Sequence, residues 1–141
     1  LTISGDARLA LGELFLKAQR ADVPEMTEIQ CQRAQAKPLR APLVIVVVAT
    51  LTEHPKVPEL EQLLSAGAAA QNLLVAAHAM GLGAMWRTGA MAYHDVVRQG
   101  LGLQAHERLI GYLYIGEVQS KSRVLPNLAV ADFVTAWPSN G

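Results

Sequence analysis

Gly81-Leu82-Gly83-Ala84-Met85-Trp86-Arg87-Thr88-Gly89 follows directly on a long apolar stretch and reads as a glycine-rich turn. Glycine lacks a Cβ, so such a turn lets backbone approach a ligand closely. Upstream of it, Pro58 suits the first position of a helix running to Met80, with Gly81 as its C-terminal cap. At 1.5 Å per residue that helix spans roughly 33 Å. Beyond Ser65 it is small or apolar nearly all round, interrupted only by Gln71, Asn72 and His78. A helix of that kind has to be buried on all sides. One domain of 141 residues has little material to wrap it, so a second copy is the expected cover, with residues 65–70 small enough for close helix contact. The expected state is a homodimer centred on this helix.

A second informative stretch is Gln119-Ser120-Lys121-Ser122-Arg123. On an extended chain Lys121 and Arg123 point to one face, and Ser120 and Ser122 to the other. Two adjacent cations suit the oxygens of one phosphate through charge-assisted hydrogen bonds. With the glycine turn, they point to a phosphorylated, planar cofactor.

Between and around these stretches the coarse pattern is mixed. Residues 1–4 read as the tail of a strand, and Asp6 as the cap of a helix with Leu11, Leu14, Phe15 and Ala18 on one face. A polar helix over 27–36, stopped by Pro38, has few apolar anchors (Ile29, Cys31, Ala34) and is expected to be exposed. Residues 43–50 are apolar and β-branched on both faces, as in a central strand covered on both sides. A short helix over 93–99 ended by Gly100, a strand over 108–115 and a last strand over 130–137 complete the reading. Helices and strands without regular alternation imply an α+β domain around one mixed or antiparallel sheet.

Composition narrows the function. Twelve basic residues balance twelve acidic ones, which argues against a general nucleic-acid binder. No apolar run approaches the ~20 residues of a membrane-spanning helix. The lone Cys31 leaves no intrachain disulfide and no cysteine metal site, which fits a cytoplasmic protein. His54, His78, His94 and His106 share no metal-ligand spacing.

The ordered set of Arg40-Ala41-Pro42, Lys56-Val57-Pro58, Ser65-Ala66-Gly67, the glycine turn through Ala90, and Gly111-Tyr112-Leu113-Tyr114-Ile115-Gly116 resembles the FMN-dependent nitroreductase family, in its small YdjA-like branch. The resemblance implies an α+β fold, a homodimer with FMN at the subunit interface, and NAD(P)H as electron donor. It further implies reduction of a small-molecule acceptor such as a nitroaromatic or quinone. The flavin carries the chemistry in such proteins, so no catalytic acid, base or nucleophile is expected of the chain. By the same resemblance Trp86, Arg87, Thr88 and Gly89 line the flavin, and Lys121 and Arg123 hold its phosphate. Ala76, Ala77, His78, Ala79, Met80 and Gly81 are implied to meet the nicotinamide nucleotide. Members of the family carry further flavin-contacting segments before the first strand, and Leu1 is no initiator residue. The chain is therefore expected to be a single domain, 1–141, truncated at its N-terminus.

Taken without the resemblance, the same residues have plainer readings. Arg87 is an ion-pair arginine, Trp86 a core or interface aromatic, and Lys121 with Arg123 a pair of solvated loop charges. The alternative to an oxidoreductase is a dimeric module that binds a flavin or phosphate ligand without turnover.

Overall fold

A computed structural model describes residues 1–119 and 124–137. Lys121 and Arg123, the expected phosphate clamp, lie outside the described residues. Strands β1 (Thr2–Ser4), β2 (Leu43–Thr50), β3 (Gly83–Arg87) and β4 (Glu107–Gly116) form an antiparallel sheet in the order β1-β2-β4-β3. Helices α1 (Ala7–Asp22), α2 (Glu28–Gln35), α3 (Glu59–Ala79), α4 (Ala90–Tyr93) and α5 (Asp95–Gly100) surround it, and a 3-10 turn (Lys37–Arg40) leads into β2.

Strand β2 lies between β1 and β4, and its period-two alternation sorts the core into two layers. Val44 and Val46 are fully buried with Leu11, Phe15 and Ala18 of α1. Leu43, Ile45 and Val47 face the other way, toward Ala70 and Ala77 of α3. Strand β4 repeats the pattern, with Tyr112 on the α1 side and Leu113 and Ile115 on the α3 side. The rings of Tyr112 and Phe15 meet edge-on, 5.4 Å between centroids and 80° between planes, the geometry that aromatic quadrupoles favour.

Several expectations need correction. The glycine stretch is a turn only at its ends. Gly81, at φ +77°, ends α3 with the paired bonds Gly81 N–H to His78 O and Leu82 N–H to Ala77 O. Residues 83–87 then extend as β3, because the open edge of β4 offers them a partner. The helix expected over 93–99 is two short helices separated by His94, whose extended backbone breaks the run while its ring caps α5 by accepting from Val96 N–H. Its terminating glycine is Gly102 at φ +74°; Gly100 lies inside the helix, where a Cβ would strike Leu14.

Helix α2 is not an exposed appendage. Thr27 and Gln30 form a reciprocal capping box, and Cys31 and Ala34 are buried against Leu16. Gly12 makes this possible, since a Cβ there would collide with the Gln35 backbone. Cys31 is therefore a core residue. The segment 130–137 is no strand either: it makes a 3-10 turn (Val130–Asp132), and Val130, Phe133 and Trp137 are exposed. With none of its apolar faces buried, its β-propensity has nothing to act on.

Finally, α3 is not buried on all sides within one chain. Ala70 and Ala77 seat it on the sheet, while Leu60, Leu64, Leu73, Val75 and Met80 are exposed along it.

Candidate functional site

Because β3 pairs with β4 in a fixed register, its side chains divide between the two faces of the sheet. Met85 lies opposite Tyr114 and Arg87 opposite Tyr112, while Trp86 lies opposite Leu113. Trp86 accordingly packs with the α3-side cluster, and its indole Nε1 donates to Ile110 O at 3.3 Å. Gly111 gives the indole its room, since a Cβ there would collide with it.

On the α1 side a cleft of about 860 Å³ opens between α1, the 3-10 turn, β3 and the end of β4. Pockets for small molecules and cofactors typically measure about 300–1,000 Å³. Trp86, Arg87, Thr88 and Gly89 all line it, so the structure brings these four expected site residues together. The loop that carries Thr88 and Gly89 is tied down by the buried Tyr112, whose hydroxyl donates to Met91 O at 3.0 Å. Burial, and secondarily the neighbouring Tyr114, push the Tyr112 phenol well above its ordinary pKa, so it remains a neutral donor. The stretch from Ala76 to Gly81 stands apart: it ends α3 on the other face and contributes nothing to the lining of this cleft. Met80, Gly81 and Leu82 donate to the carbonyls of Ala76, Ala77 and His78 there.

The cleft also contains groups that the sequence reading missed. Lys37, Arg40 and Tyr114 line it beside Arg87. Burial, then the adjacent Arg40 charge, holds the Lys37 ammonium below its ordinary pKa. Burial raises the Tyr114 phenol, against the opposing pull of Arg40 and Arg87. Arg87 rests its Nε on Met85 Sδ at 3.1 Å. Among the described residues, Lys37, Arg40 and Arg87 form no ion pair. Glu117 is the one carboxylate in the described lining. Three cations against one carboxylate give the described lining a net positive charge, which favours an anionic ligand. The signal for Lys37 and Arg40 was their spacing of three around Pro38, which only a 3-10 turn converts into a shared face.

An antiparallel sheet with a long small-residue helix on one face and a cationic, glycine-edged cleft on the other defines a nitroreductase-like α+β fold. A nitroreductase-like family protein from Bacillus cereus has the same fold, at TM-score 0.75 and 22% identity over 99% of this chain and 72% of that one. The FMN-dependent nitroreductase NfnB from Mycobacterium smegmatis, solved in complex with NADPH, superposes at TM-score 0.68 and 18% identity, covering 96% and 77% of the two chains. Residues 1–117 match the Nitroreductase family, and the chain belongs to it. YdjA of Escherichia coli K12, classed by name among the NAD(P)H nitroreductases, is 42% identical over 96 residues, which are 68% of this chain. The chain spans about half the length of that relative, 52%.

Proposed function

We propose that the protein is an FMN-dependent oxidoreductase that takes hydride from NAD(P)H and passes electrons to a small acceptor such as a nitroaromatic or quinone. The observation that carries this reading is the convergence of Trp86, Arg87, Thr88 and Gly89 on one cationic cleft of about 860 Å³. Family membership and the FMN-dependent fold relative solved in complex with NADPH support it.

The residues present fit such a cofactor. The cavity is large enough for a planar ring system, and its cations suit a phosphate. Strand β3 is an edge strand, so alternate backbone groups face away from β4 and are available to the polar edge of a ring. FMN, when bound, supplies the hydride and electron chemistry. The chain's own residues bind and orient. Thr88 and Gly89 form the floor that Tyr112 fixes through Met91, and Arg87 presents its guanidinium to negative charge. Lys121 and Arg123 are assigned to the phosphate on the strength of the family resemblance.

The working unit in this reading is a homodimer. Leu60, Leu64, Leu73, Val75 and Met80 leave an apolar stripe on α3 that a second copy would cover. A cytoplasmic setting suits the buried, reduced Cys31 and the nicotinamide donor.

Titration of the purified chain with FMN, followed by NAD(P)H oxidation with and without added flavin, tests the proposal. Saturable flavin binding with flavin-dependent NAD(P)H consumption is expected. Flavin bound without any consumption would make the protein a binding module instead.

A further inference from the structure

Strand β3 pairs with β4 only from Tyr112 onward, so β4 from Glu107 to Gly111 has no neighbouring strand on that edge. A second cavity, of about 320 Å³, lies against this stretch and shares no lining residue with the cleft. Leu63 of α3, Tyr93 at the end of α4, and Leu109 and Ile110 of β4 give it apolar walls. The charged groups in its described lining are Arg98 and Arg108, with no carboxylate beside them. Both guanidiniums are short of acceptors. Arg98 reaches Glu107 O at 3.4 Å and the exposed Asp95 carboxylate at 3.5 Å, both longer than the about 2.7–2.9 Å of a good charge-assisted bond. Its Nε is buried with no acceptor at all. Arg108 places Nη1 on two carbonyls, Ala105 O at 2.6 Å and Glu107 O at 3.1 Å. It forms no ion pair among the described residues, although Glu53 and Glu59 line an adjacent opening that it also borders.

We infer that this cavity is a second ligand site, which takes a small monocarboxylic acid with a compact apolar or aromatic body. Planar guanidinium forks match the two oxygens of a carboxylate, and the hydrocarbon part covers Leu63 and Ile110. The volume lies at the lower end of the about 300–1,000 Å³ usual for small-molecule sites, room for a single ring rather than a dinucleotide. Neither flavin nor nicotinamide donor is needed for this binding, so the site stands independently of the redox reading.

Amide NMR of the nitrogen-labelled full chain, titrated with benzoate in the absence of flavin and reductant, tests the inference. Benzoate should shift the amides of Tyr93, Leu109 and Ile110 saturably. Its neutral counterpart, benzyl alcohol, should bind there about tenfold more weakly or worse, the worth of one charge-assisted hydrogen bond. Arg108→Gln should weaken benzoate by a similar factor and leave benzyl alcohol unchanged. Leu63→Trp, which fills the cavity from α3 without touching either charge, should abolish the binding of both. Arg98 also braces β4 through Glu107 O, so these two variants carry the test, each read where the rest of the spectrum matches the original. The map of shifts in the original chain decides the location without any variant. No saturable shift, or shifts confined to Thr88 and Gly89 of the cleft, would overturn the inference. So would equal affinity for the acid and the alcohol, or Arg108→Gln binding benzoate as the original does. Inorganic phosphate shifting the same amides at the concentration benzoate needs would also overturn it, since the apolar walls would then contribute nothing.

Discussion

Replacing Tyr112 by Phe removes one oxygen atom at the point where the core meets the cleft. The Tyr112 hydroxyl donates to Met91 O at 3.0 Å, and the side chain is 1% exposed. Its ring would keep the edge-on contact with Phe15, so the packing loss is small. What remains is a buried carbonyl without its donor, which costs about 1–3 kcal/mol. For a chain of this size that corresponds to a fall in Tm of roughly 3–10 °C. Thermal melting at one fixed protein concentration, so that association does not shift the baseline, measures it. The same substitution frees the Thr88–Met91 loop, and flavin affinity should fall with it. Because burial raises the folded-state pKa of Tyr112 above the unfolded 10.0, the folded chain holds that proton more tightly. Its contribution is therefore complete below about pH 10 and is lost as pH rises further. The alkaline decline should be shallower in Tyr112→Phe. An unchanged Tm together with an unchanged alkaline decline would refute the idea that Tyr112 ties the loop to the core.

Other substitutions probe other parts of the account. Lys37→Met should raise the Tm of the ligand-free chain near neutral pH: burial depresses the Lys37 pKa, so its charged form opposes folding, a penalty relieved only as pH rises from that depressed value to the ordinary 10.5. A lowered Tm would show that Lys37 is instead stabilised where it stands. Ala69→Arg, placed on the exposed flank of α3, should break the proposed homodimer into monomers by light scattering, and an original chain that is itself monomeric would refute that homodimer. Gly111→Ala should destabilise by about 1–3 kcal/mol, the usual cost of overpacking, because its Cβ meets the Trp86 indole and the Arg87 carbonyl. Arg123→Ala should weaken FMN by roughly tenfold to a hundredfold and leave riboflavin unchanged. Equal losses for both flavins would remove Arg123 from the phosphate.

The fold was legible wherever periodicity was strong and the partner was local. Residues 43–50 announced a strand covered on both faces, and β2 occupies those positions. The α1 face of Leu11, Phe15 and Ala18 followed from helical spacing, and all three are buried. What was not legible depended on long-range partners. Residues 83–87 look like a glycine turn until β4 supplies an edge to pair with. The burial of Cys31 and Ala34 depends on Gly12, in the preceding helix α1, permitting a backbone approach that α2's own composition does not signal. Conversely, residues 130–137 have strand-like side chains but no buried face, so propensity alone misled.

The site was legible in part for the same reason. Trp86 to Gly89 stand together in sequence and stay together in the cleft. Lys37 and Arg40 reach it only because a four-residue 3-10 turn stacks them on one face, and Tyr114 only because β4 alternates toward α1. Trp86 lines the cleft while its indole is held against the α3-side core, as its plainer reading expected.

The central claim is that this cleft brings a flavin and a nicotinamide donor together for redox chemistry. Anaerobic addition of NADPH or NADH to the FMN-loaded protein tests it most directly, followed through the flavin's visible absorbance. Rapid bleaching, reversed by an oxidising acceptor and lost when Arg87 and Thr88 are replaced by Ala together, is the predicted result. Protein-bound flavin that stays oxidised under excess donor would contradict it.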